Sequence, residues 1–127
     1  MLESLLARMQ DDPAVLAVIL FGSHARGEAA EGSDVDVCLV LMPGGEGPTD
    51  QSATRLAYLA EGLDTVDVRV FQQLPLYVRE RVLREGRVLY CRDVDALYDR
   101  AYRTVKEMER FRPFYRGYLK QVAHVRP

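Results

Sequence analysis

The chain is poor in the residues that most often mark a zinc centre or a disulfide framework. It has two cysteines, Cys38 and Cys91, and two histidines, His24 and His124, in 127 residues. Neither type clusters at zinc-ligand spacing, and two separated cysteines point to reduced thiols in a cytoplasmic protein. No apolar run approaches the ~18 residues of a membrane-spanning helix. The first ten residues place Leu2, Leu5, Leu6 and Met9 at helical spacing, with Glu3 and Arg8 between them. That pattern predicts an amphipathic helix and not a signal peptide, which needs a continuous apolar centre. A large net charge is also missing. The balance is −2, which excludes a polycation that would hold nucleic acid by charge alone. Internal repeats and low-complexity segments are absent, and no Ser/His/Asp or Cys/His arrangement offers a nucleophile.

What is present suits one domain able to bury a core without disulfides or a structural metal: 48% hydrophobic and 28% charged residues. The charge is uneven. Residues 1–91 carry 8 Lys+Arg against 14 Asp+Glu, whereas residues 92–127 carry 9 against 5. The basic tail also holds Tyr98, Tyr102, Phe111, Phe114, Tyr115 and Tyr118. Two readings of the tail stay open: a helix packing Leu97, Ala101, Val105 and Met108 on the core, or an outer face that meets a partner or single-stranded nucleic acid.

Residues 14–21 form a continuous apolar run after the turn signal Asp11-Asp12-Pro13, which predicts a strand covered on both faces. A second strand is expected over 34–41, a helix over 50–61 closed by Gly62, and an alternating strand over 65–71. Pro75 opens a helix that Gly86 stops, 87–91 reads as an edge strand, and Asp93 caps a helix to about Phe111. Pro113 is expected to kink or restart it, with a last helical piece to about Val122. The order predicts an α/β (α+β) domain, a small mixed sheet flanked by helices. Its core would span 1–91, with 92–127 a helical extension of the same domain. Periodicity leaves open which strands run parallel.

The informative stretch is 21–40, FGSHARGEAAEGSDVDVCLV. Gly22-Ser23 follows directly on a buried strand, and ten residues later Asp34-Val35-Asp36 opens the next. Residues i and i+2 of a strand share a face, so Asp34 and Asp36 project side by side. Adjacent carboxylates ionise together only beside a cation, and an oxygen-only set favours Mg²⁺ or Mn²⁺. Gly22 lets the backbone approach a phosphate, the Ser23 hydroxyl adds a donor, and Arg26 lies within reach of a triphosphate. Asp67, the lone acid inside an apolar strand, is the expected third carboxylate and would help remove the acceptor's proton. His24 is expected to be a turn residue without a proton-transfer duty.

Gly22-Ser23-x10-Asp34-x-Asp36 resembles the signature of the minimal nucleotidyltransferases of the DNA polymerase β-like superfamily. The spelling Gly-Ser-His-Ala-Arg-Gly, then Ser33-Asp34-Val35-Asp36-Val37, is similar to how that group reads. The resemblance spans roughly residues 1–91, and in particular the chain resembles the antitoxin subunits that pair with HEPN-domain toxins. It implies a polymerase β-like fold, metal-ligand roles for Asp34, Asp36 and Asp67, and triphosphate contact for Gly22 and Ser23. It also implies ATP as substrate and transfer of AMP to a tyrosine of a HEPN-type toxin, in a homo- or hetero-oligomer. Three other outcomes stay open: a non-catalytic antitoxin that neutralises its partner by covering it, a transferase acting on a small molecule, and one acting on an RNA end.

Overall fold

The structure, a computed structural model, describes residues 2–27, 34–44, 47–61 and 65–125. Helix α1 (Leu2–Asp11) precedes strands β1 (Val15–Phe21) and β2 (Val35–Leu41). Helix α2 (Pro48–Glu61) leads to β3 (Val66–Val70), and a 3-10 turn (Phe71–Gln73) precedes α3 (Leu76–Glu85). Strand β4 (Arg87–Cys91) and the long α4 (Val94–Val125) complete the chain. The four strands lie in the order β3-β2-β1-β4. β1 runs antiparallel to both β2 and β4, while β2 and β3 are parallel. A parallel pair cannot be closed by a hairpin, and α2 supplies the crossover.

Both faces of the sheet are covered. On one, Val37, Leu39 and Leu41 of β2 and Val66, Val68 and Val70 of β3 pack with Leu5 and Met9 of α1 and Tyr58 of α2. On the other, Leu16, Ala17, Ile19, Cys38 and Val40 pack with Phe71, with Val82 of α3 and, half-buried, Leu97 of α4. The apolar β1 run is therefore central because both of its faces are buried. Cys38 and Cys91 are free thiols, and burial pushes the Cys38 thiol well above its usual range. Among the described residues no helix is long and apolar enough to cross a membrane.

Polar side chains tie the strand ends. Asp12 accepts from the Ala14 N–H (2.9 Å) and from the Tyr58 hydroxyl (2.6 Å), fixing the turn into β1 against α2. Arg92 donates to the carbonyls of Val15 (3.0 Å), Gln10 (2.8 Å) and Asp12 (2.9 Å), fastening the same junction to the end of β4. Asp93 caps α4 through the Ala96 N–H (3.2 Å).

Several expectations shift. α2 begins at Pro48 and not Asp50, since proline suits a helix's first turn. Phe71 leaves the strand for the 3-10 turn and is wholly buried. α4 runs through Pro113 without restarting. Residues 109–114 are exposed, so water can serve the Glu109 carbonyl that Pro113 leaves without a donor. Val105 faces solvent, and Thr104 takes the buried position instead. Its hydroxyl donates to the Arg100 carbonyl at 3.0 Å, which removes the penalty of burying it. Gly32, Ser33, Gly62 and Asp64 lie outside the described residues.

Where β3 ends, Gln72 continues its ladder with a side chain. Its Oε1 accepts from the Leu41 N–H (3.1 Å) and its Nε2 donates to the Leu41 carbonyl (2.8 Å). Gln72→Leu leaves both groups of a buried residue without partners. It is expected to lower unfolding free energy by about 1–3 kcal/mol in urea denaturation. Gln72→Glu, which keeps only the acceptor, should be no better.

Candidate active site

The parallel register sets Asp36 of β2 directly beside Asp67 of β3. Both point to the face covered by α3 and α4, because Val35, Val37, Val66 and Val68 occupy the opposite face. The antiparallel register sets Phe21, the last residue of β1, opposite Asp36. The two acids thus stand at the rim where β1 ends and β2 and β3 begin. Asp34 lies just before β2, is exposed, and acts on Asp36 through its charge.

Gly22 turns the chain off β1 with φ +74°, a left-handed conformation that side chains resist. A Cβ built there would overlap Asp36 Oδ2 and stand 3.3 Å from its Cγ. Glycine is thus required twice at this position, for its backbone angle and for the carboxylate against it. The turn closes with the Arg26 N–H on the Gly22 carbonyl (3.2 Å) and the Gly27 N–H on that of His24 (3.4 Å). Ser23 sits half-buried within it.

Burial first, and then the charges of Asp67 and Asp34, raise the Asp36 carboxyl above its ordinary pKa, while Arg69 and His24 oppose the rise. Asp67 is differently placed. Arg69 Nε donates to its Oδ2 at 2.9 Å and Arg55 Nη2 stands 3.6 Å from its Oδ1. Arg55 is itself anchored by its Nε on the Val68 carbonyl (2.7 Å). Arg26 Nη1 stands 3.7 Å from Oε2 of Glu85 on α3. The two residues border a cleft of about 290 Å³ that also touches Gly22.

The donors suit a hard cation: carboxylate oxygens, one of them held against like charge, which a divalent ion would relieve. The fit is better for Asp34 and Asp36 than for Asp67, whose oxygens are engaged by arginines. Among the described residues no three acids, histidines or cysteines converge as a metal cluster. Sequence reasoning missed Arg69, Arg55, Arg81 and Glu85. The alternation of 65–71 places Arg69 on the face of Asp67 and could have found it. No spacing links α2 or α3 to this rim.

The site is a mixed sheet with acids at the start of two parallel strands and a glycine turn over them. A chain of a crystal structure of a toxin–antitoxin with AMP-PNP superimposes with a TM-score of 0.70 at 17% identity, covering 97% of this chain and 99% of that one. A chain of a Shewanella oneidensis complex, a tri-AMPylated HEPN toxin with an MNT antitoxin, gives 0.68 at 13% identity, covering 95% of each. At these identities the likeness is one of fold. By sequence, a Methanocaldococcus jannaschii protein described as a candidate protein adenylyltransferase is 30% identical over 76 residues. The matched stretch is 60% of this chain and spans about 56% of that relative's length. The profile of the family described as Polymerase beta, Nucleotidyltransferase matches residues 3–95, and the chain belongs to that family.

Two outcomes follow from this geometry. Gly22→Ala should lower stability by about 2 kcal/mol, a fall of roughly 5–10 °C in a thermal melt. Asp36 has a raised folded pKa, so ionising it costs folding free energy above that pKa and nothing below the ordinary carboxylate value of 3.8. Asp36→Asn should therefore melt higher than the unsubstituted protein at pH 7 without divalent metal. The advantage should shrink as the pH falls toward 4, and a metal-chelated thermal melt across that range checks it.

Proposed function

We propose that the protein is a metal-dependent nucleotidyltransferase that moves AMP from ATP to a hydroxyl of a partner protein, a tyrosine of a HEPN-type toxin, and so acts as its antitoxin. The observation that carries the reading is the register pairing of Asp36 with Asp67, beneath a glycine turn that a side chain would block. The candidate adenylyltransferase among its relatives and the AMPylated toxin among its structural neighbours favour AMP and a protein acceptor.

In this reading Asp34 and Asp36 would hold Mg²⁺ or Mn²⁺, with Asp67 beside them once its oxygens leave Arg69 and Arg55. A cation held there would supply charge to offset that of the phosphates and of the pyrophosphate that leaves. Gly22 and Ser23 receive the phosphates, the glycine by backbone approach and the serine by its hydroxyl. Asp67 then accepts the proton of the acceptor hydroxyl, whose oxygen attacks the α-phosphorus in line. Arg69 and Arg55 hold the Asp67 carboxylate in place until substrate arrives.

A second reading is favoured by that same arginine pair. With Asp67 engaged, the chain could neutralise a toxin by binding alone. Incubation with α-labelled ATP, Mg²⁺ and the HEPN-type protein separates the two. The catalytic reading expects label on the partner, reduced at least about 100-fold by Asp36→Asn. Label transfer by that variant at the unsubstituted rate would sink the role of Asp36. Full inhibition of the toxin by Asp34→Ala/Asp36→Ala, with no transfer, would establish the binding reading.

A further inference from the structure

Helix α4 outruns the body of the protein. Thr104 is its last buried residue, Met108 is half-buried, and Glu107 meets Arg79 of α3 at 3.5 Å. From residue 109 to residue 123 every side chain described is exposed. The segment 109–125 is thus about 25 Å of helix carried outside the core. Local sequence does not account for a helix there. Pro113 and Gly117 are the two weakest helix formers, and Phe111, Phe114 and Val122 rank low as well. Most helices draw their stability from packing an apolar face, and such a face is present. At about 100° per residue, Phe111, Phe114, Leu119 and Val122 fall within an arc of about 140°. They continue the row in which Leu97, Thr104 and Met108 turn toward the core. Phe114 is nevertheless 76% exposed and Leu119 47%.

We propose that this outer segment of α4 docks the acceptor protein, laying Phe114, Leu119 and Val122 into an apolar groove whose borders are acidic. The inference rests on the reading of a HEPN-type protein as acceptor, and adds the surface that holds it. Charge selects the occupant. Residues 110–125 carry Arg110, Arg112, Arg116 and Lys120, with no Asp or Glu. Arg110 and Arg112 stand about 100° to either side of Phe111, on the two borders of the apolar row. Two copies of this segment laid together would set four cations against four, which disfavours self-association. Leu119 and Val122 carry no ring for a base to stack on, so a nucleic acid would leave them uncovered. An apolar groove with acidic borders answers both the row and its arginines.

The helix is rooted away from the chemistry. Arg100 of α4 borders a recess with Leu41 and Gln72, where β2 ends. Asp36 stands at the start of that strand, about 17 Å back along it. A protein held by α4 gains a high local concentration at the carboxylates without any added contact at the reacting phosphorus. A free tyrosine gains nothing from the same helix. Docking and nucleotide binding are therefore separable, and loss of the helix contacts should weaken the acceptor alone.

The test is calorimetric titration of the full chain with the HEPN-type protein, with light scattering to give the mass of each species. Phe114→Asp combined with Leu119→Asp should weaken the complex about 100-fold or more. Arg110→Glu combined with Arg112→Glu should weaken it about tenfold at low salt and less at high salt. Gly117→Ala, whose added Cβ meets nothing, should bind at least as tightly because it favours the helix. The segment is exposed, so each variant should melt within about 2 °C of the unsubstituted protein and bind ATP with Mg²⁺ within about twofold of it. A complex left intact by Phe114→Asp/Leu119→Asp would overturn the docking helix and leave nucleotide transfer standing. So would a homodimer that this variant dissolves while acceptor binding persists, or the loss of single-stranded oligonucleotide binding alone. An unsubstituted chain that forms no complex with the HEPN-type protein would overturn both the docking helix and that acceptor.

Discussion

The parallel pairing of β2 with β3, in the register that sets Asp36 against Asp67, is the constraint on which the rest depends. Neighbouring strands lie about 4.8 Å apart, so two ionised carboxylates on one face repel across a half-buried gap. The opposite face holds them there. Val35, Val37 and Leu39 of β2 and Val66, Val68 and Val70 of β3 line the α1/α2 layer. A slip of one residue would turn those valines out and the acids in. Hydrophobic burial on one side of the sheet thus enforces an electrostatically unfavourable arrangement on the other.

The surrounding polar groups answer that repulsion. Arg69 and Arg55 engage Asp67, and His24 and Arg69 bring positive charge to Asp36. These contacts offset the repulsion, while burial, ahead of the charges of Asp67 and Asp34, still raises the Asp36 carboxyl. Gly22 adds a second local conflict, a left-handed backbone pressed against a carboxylate. Conflicts of this kind persist where function requires them and the surrounding fold over-determines them. Here the over-determination comes from β1, which is buried on both faces and paired on both edges.

Much of this was legible in the chain. The apolar run of β1, the i and i+2 aspartates and the alternation around Asp67 are local patterns with local causes. Strand, turn and face follow from them without knowledge of neighbours. The limits of β4 and the Asp93 cap were readable for the same reason. The tail was less so. Thr104 replaced Val105 in the buried row because its hydroxyl can bond to Arg100 within the helix. Pro113 failed to interrupt α4 because exposed carbonyls can turn to water.

The sequence by itself determined most of the elements and the family signature, because each is written within a few residues of chain. Only the tertiary structure decided that β2 and β3 are parallel and that Asp36 faces Asp67. It alone placed Arg55 on Asp67 and brought Arg26 to Glu85. Those contacts join segments that no short-range period relates, and they exist because two apolar layers could be buried together in only one register of the sheet.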